Sequence, residues 1–128
     1  VEEIKYYGKV TGVEIDQGVI EISNKYFKIN EINNLSLIND DAFEFVLKTK
    51  EKYDLIIIDI FQDTVMPNFL FEDLLNLNGF ILFNTMVLTE KDKERNKLYR
   101  SKFTEQYSLR MYPKIEEHNE LFTIKKLS

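Results

Sequence analysis

Carboxylates close three apolar segments of this chain. Glu14 and Asp16 end the stretch KVTGVEI over residues 9–15. Asp40 and Asp41 follow the short apolar stretch 35–38, and Asp59 follows Leu55-Ile56-Ile57-Ile58. Each position has a chemical use. An acid at a strand end can accept hydrogen bonds from two ribose hydroxyls. An acid after the next strand can accept from an adenine amino group. An acid after a central strand can polarise or deprotonate an attacking amine.

Structural roles compete for the same residues. Asp16 and Asp40 are equally placed to cap helices. Asp63 reads as a loop acid, and Tyr6, Tyr7 and Tyr112 as packing residues. Glu14 ends a strand-like run and needs a partner. Asp59 would cost on the order of several kcal/mol if buried without one, so it belongs at a sheet edge or in use. His118 is the only histidine and falls in a polar turn. That leaves no histidine triad and no histidine metal cluster, and we expect no metal site.

The elements that would carry these acids follow from hydrophobic spacing. Residues 9–15 read as a strand and Asp16 as a helix N-cap. Val19, Ile20, Ile22, Ser23, Tyr26 and Phe27 then recur near helical spacing. Asn33-Asn34 breaks that pattern. Residues 35–38 form a strand, and Asn39, Asp40 or Asp41 caps a helix with the stripe Phe43, Val46, Leu47. Residues 54–60 are the clearest strand, and their unbroken apolar run suits burial on both faces. Pro67 suits a first helical turn, with Phe69, Leu70, Leu74 and Leu75 as the apolar face. Asn78-Gly79 ends that helix, with Gly79 at positive φ. Residues 80–84 form another strand. Thr89 caps a charged helix over roughly 90–106, with Leu98 and Phe103 turned inward. Residues 108–113 and 120–127 pair as an antiparallel hairpin about a turn at 116–119.

Strands alternating with helices predict an α/β fold: a Rossmann-like, mostly parallel sheet with helices on both faces and a C-terminal antiparallel hairpin. At 128 residues it reads as a single nucleoside-binding domain over 1–128, incomplete at its N-terminus. Hydrophobic residues make up 44% of it, enough for a core. A net charge of −5 argues against a general grip on nucleic-acid phosphates and is compatible with a cationic small substrate. No apolar run approaches a membrane span. With no cysteines there are no disulfides, which fits a reducing, cytoplasmic setting.

Taken in order, VTGVEIDQGVIEISNKYF, LINDDAFEFV, YDLIIIDIF and LNGFILFN resemble the spermidine synthase branch of the class I S-adenosylmethionine-dependent transferases. The resemblance covers roughly residues 8–84. It implies that Glu14 holds the ribose of an adenosyl nucleoside and that Ile15 packs near the adenine. Asp16 and Gln17 would start the helix beneath. Asp41, followed by Ala42 where the family usually has Gly, would meet the adenine amino group. Asp59 would be the catalytic acid that positions the amine. The implied reaction moves an aminopropyl or methyl group from S-adenosylmethionine or its decarboxylated form to an amine, with a polyamine as the implied partner. A non-catalytic or remnant domain of the same fold, used for assembly, is the alternative.

The family's first strand and Gly-rich loop have no counterpart here, and residues 1–7 read as the end of the helix that follows such a loop. Activity would therefore need that segment upstream. Without it, strands 9–15 and 54–60 are expected to pair directly, or another copy or segment to fill the gap. The stretch after Asp59 also lacks the Ser-Asp-Pro of the family's aminopropyltransferases.

Overall fold

Asp16 shows how the chain turns local chemistry into an element. Its Oδ1 accepts from the N–H groups of Gly18 (2.7 Å) and Val19 (3.4 Å), which starts helix α1 (Gln17–Phe27). The computed structural model describes residues 8–60, 73–101, 105–113 and 118–128. Those residues divide between two compact units, Val1–Thr49 and Lys50–Ser128.

In the first unit, β1 (Val10–Glu14) and β2 (Leu35–Asn39) form a parallel pair in the register Glu14 opposite Asn39. Helix α1 connects them. It ends at Lys28, whose φ of 52° takes the left-handed conformation. A single 3-10 turn, Ile29–Glu31, follows. Helix α2 (Ala42–Lys48) is capped by Asp41, one of the three candidates. Ile20 and Ile32 are the buried anchors of this unit. The expected apolar stripes are only partly covered: Val19, Ile22, Tyr26, Phe27 and Leu47 are exposed.

The second unit is a four-stranded sheet in the order β3-β4-β6-β5. Strands β3 (Tyr53–Ile58) and β4 (Leu75–Met86) run parallel. Strand β6 (Asn119–Lys126) lies antiparallel to β4 and to β5 (Tyr107–Pro113), the expected hairpin. Helix α3 (Glu90–Ser101) packs on one face. Its Tyr99 ring meets Phe83 edge-on at 4.9 Å and Phe122 at 5.7 Å. Ile58, Ile81, Phe83, Phe122 and Ile124 complete that core. Asn96, only 3% exposed, donates from Nδ2 to Thr85 Oγ1 (2.8 Å) and Glu120 Oε1 (2.9 Å). These bonds satisfy a polar group that burial would otherwise penalise.

Several expectations change. Leu74 and Leu75 are buried, but Leu75 opens β4 and does not lie on a helix. Tyr53 pairs with Leu75 and Leu55 with Phe80, so an irregularity absorbs the extra residues of β4. Asn78, at φ 64°, takes the left-handed conformation there, and Gly79 does not. Gly79 is needed for space: a Cβ would lie 2.8 Å from both the Asn76 carbonyl oxygen and Leu75 Cδ1. On α3 the inward anchor is Tyr99, while Leu98 is 52% exposed. Among the described residues α3 covers one face of the second unit's sheet, and Leu55 and Ile57 on the other face of β3 are 50% and 67% exposed. Among the described residues β1 ladders with β2 inside the first unit, and β3 with β4 inside the second. Pro67, Phe69, Leu70, Asp63 and Phe103 lie outside the described residues. No described helix is long and apolar enough to cross a membrane.

Candidate functional site

The parallel register of β1 and β2 brings the first two acidic clusters to one strand-end edge. Glu14 closes β1, and its Oε1 accepts from the Asp16 N–H at 2.9 Å. Ile15 between them is 67% exposed, an apolar side chain standing among carboxylates. From β2, Asn39 Nδ2 donates to the carbonyls of both Glu14 and Ile15 at 3.0 Å. The Asp40 N–H donates to the Glu14 carbonyl at 3.2 Å. These three bonds fix the turn that presents Glu14, Ile15 and Asp16.

Asp41 caps α2 through one oxygen. Its Oδ1 accepts from the N–H groups of Phe43 (2.8 Å) and Glu44 (3.2 Å), with Ala42 at the first helical position. Asp40 is not the helix cap. It supports Asp41 by accepting its N–H at 2.9 Å and lies 3.6 Å from Lys48 Nζ. Of Asn39, Asp40 and Asp41, each able to cap from the sequence, the structure gives the cap to Asp41.

In the second unit Asp59 follows β3 and is exposed, as a carboxylate after three isoleucines should be. Ile58 pairs with Phe83, so Asp59 and Asn84 come side by side at the C-terminal ends of β3 and β4. Asn84 Nδ2 donates to Asp59 Oδ1 at 3.0 Å. Asn119 Nδ2 donates in turn to Asn84 Oδ1 at 3.1 Å. The sequence reading missed both asparagines, and Asn39 as a support. A signal existed for Asn84, which ends the expected strand 80–84 and lies near the end of β4 beside β3. None existed for Asn119, which arrives only through the antiparallel register of β6. His118 is exposed; its carbonyl accepts from the Val87 N–H at 2.6 Å.

Acids at the carboxyl ends of parallel strands, on a mixed α/β framework, are where Rossmann-like folds place their ligands. Solved structures agree on the fold. A spermidine synthase in complex with the transition state analogue AdoDATO superposes with a TM-score of 0.71 at 21% identity, over 99% of this chain and 50% of its own. Human methyltransferase-like protein 13 in complex with SAH superposes with a TM-score of 0.72 at 14% identity, over 99% of this chain and 75% of its own. Residues 1–90 match the spermine/spermidine synthase domain, and the chain belongs to that family. It is also 39% identical over 61 residues to polyamine aminopropyltransferase 2 of Aquifex aeolicus (strain VF5). Those residues are 42% of this chain and 12% of that relative, so the chain spans a small part of the curated relatives it matches.

Proposed function

We propose that this chain is a spermidine synthase-like transferase domain, one nucleoside-binding domain over 1–128. In this reading it binds S-adenosylmethionine or its decarboxylated form as substrate. An aminopropyl or methyl group then moves to an amine, with a polyamine as the favoured acceptor class. The nitrogen lone pair forms the new N–C bond. The C–S bond breaks with its electrons returning to the sulfonium sulfur, and the nitrogen loses a proton.

The observation that carries this reading is Asp59. It lies within the residues that match the spermine/spermidine synthase domain, follows a parallel strand, and has its carboxylate directed by a side-chain donor. Glu14 would accept from the ribose hydroxyls, Ile15 would cover the adenine, and Asp16 with Ala42 would shape the strand-end turns beside it. Asp41 has one oxygen committed to its helix, so the other would accept from the adenine amino group. A cytoplasmic setting accords with the absence of cysteine.

A second reading has its own observation. Leu55, Ile57 and Phe80 share one face of the second unit and are each at least 42% exposed. A face of that kind suits assembly with another copy or segment, with or without catalysis. Calorimetry on the full-length protein with S-adenosylmethionine, its decarboxylated form and methylthioadenosine tests the leading reading. Heat with at least one of them is expected, and none with any of the three sinks it. Asp59→Asn separates the readings. A transferase loses turnover by about 10²–10⁴-fold while keeping its fold, and an assembly domain shows no turnover to lose.

A further inference from the structure

Asp59 ends a chain of side-chain amides. Asn119 Nδ2 donates to Asn84 Oδ1 at 3.1 Å, and Asn84 Nδ2 donates to Asp59 Oδ1 at 3.0 Å. An asparagine amide has a donor end and an acceptor end, and its sense is fixed when both ends are held. Turning Asn84 over would set its carbonyl against a carboxylate and its amino group against the Asn119 amino group. Both contacts would be repulsive. The chain therefore has one consistent sense, with every donor aimed toward Asp59.

The far end is well anchored. Asn119 opens β6 opposite Met86 and is flanked by two tied residues. On one side the His118 carbonyl accepts from the Val87 N–H at 2.6 Å. On the other, the Glu120 carbonyl accepts from Thr85 Oγ1 at 3.1 Å, and Glu120 Oε1 accepts from the buried Asn96. Asn96 also holds Thr85, so β4, β6 and α3 meet at the base of the relay.

We propose that Asn84 and Asn119 are positioning residues for Asp59. They hold its Oδ1 so that Oδ2, which has no hydrogen bond among the described residues, accepts from the N–H of an amine substrate. The use for an amine rests on the transferase reading above; the relay itself does not. A carboxylate free to rotate presents either oxygen in any direction. One oxygen pinned by a donor leaves the other as a directed acceptor, which suits a substrate that brings an N–H and rejects one that brings only acceptors.

The test uses full-length, 15N-labelled protein and follows the side-chain NH2 resonances of Asn84 and Asn119. Asp59→Ala is expected to move the Asn84 pair, and Asn119→Ala to move it again by removing the donor to its carbonyl. Unmoved Asn84 resonances in both variants overturn the relay, whatever the activity. Steady-state kinetics then tests its use. Asn119→Ala should lower kcat about tenfold, as small losses of alignment do, with the nucleoside KM unchanged. In an Asn84→Ala background the same change should cost nothing further, because linked residues are not additive. Full kcat in both single variants, or additive losses in the double variant, overturns the positioning role. Wild-type protein that turns over no amine overturns that role and the transferase reading together, while the resonances still decide the relay.

Discussion

Asp41 carries two duties on two oxygens, and substitution can separate them. Its Oδ1 accepts both N–H groups that start α2. Under the transferase reading its other oxygen accepts from an adenine amino group. Asparagine caps a helix as well as aspartate, whereas alanine loses about 0.5–2 kcal/mol. Asp41→Asn should therefore keep the melting temperature, and Asp41→Ala should lower it by roughly 2–8 °C. Binding should behave differently. With the asparagine carbonyl held by the helix, its amino group faces the ligand amino group, donor against donor. The lost charged hydrogen bond is worth about 1.5–3 kcal/mol. That corresponds to roughly 10- to 100-fold weaker binding in both variants. Thermal unfolding and calorimetry with methylthioadenosine, on the full-length protein, measure the two effects. Two results would refute the reasoning: an asparagine variant that melts as low as alanine, or one that binds as tightly as the wild type.

Other consequences follow from the second unit. Phe122 is fully buried between Phe83 and Tyr99, so Phe122→Ala should destabilise by about 3–5 kcal/mol in chemical denaturation. Gly79→Ala should destabilise by about 1–3 kcal/mol through its 2.8 Å contacts, whereas Asn78→Gly, at φ 64°, should be tolerated; equal stabilities would contradict the packing argument. The Asp92 carboxyl is held below its ordinary value first by the Thr89 hydroxyl, then by the N–H groups of Thr89 and Leu88. A lowered folded value means its contribution is present above about pH 4 and lost as pH falls further. The melting-temperature gap between wild type and Asp92→Asn should thus be constant above that pH and shrink below it.

Much of this architecture was legible in the chain. Asp16 before an apolar-periodic run, the isoleucine strand ending in Asp59, and the hairpin at the C-terminus are local signals. Each depends on side-chain spacing or a cap within a few residues, and the structure places each where expected. The Thr89–Asp92 helix start is local in the same way, since the two side chains satisfy each other's neighbouring N–H groups. The strand-end acids were visible for the same reason.

Tertiary structure decided what those acids are attached to. Whether Asp40 or Asp41 caps α2 turned on one residue of helix phase. Leu74 and Leu75 look the same on a helix as at a strand start, and only the ladder with Tyr53 distinguishes them. Leu98 and Tyr99 are adjacent on α3, and only the position of the sheet decides that Tyr99 faces Phe83 and Phe122. Asn119 lies far along the chain from Asn84 and Asp59, and no spacing rule connects them. The antiparallel register of β6 on β4 brings it there, because a sheet sets its neighbours by hydrogen-bond ladder and not by distance in sequence.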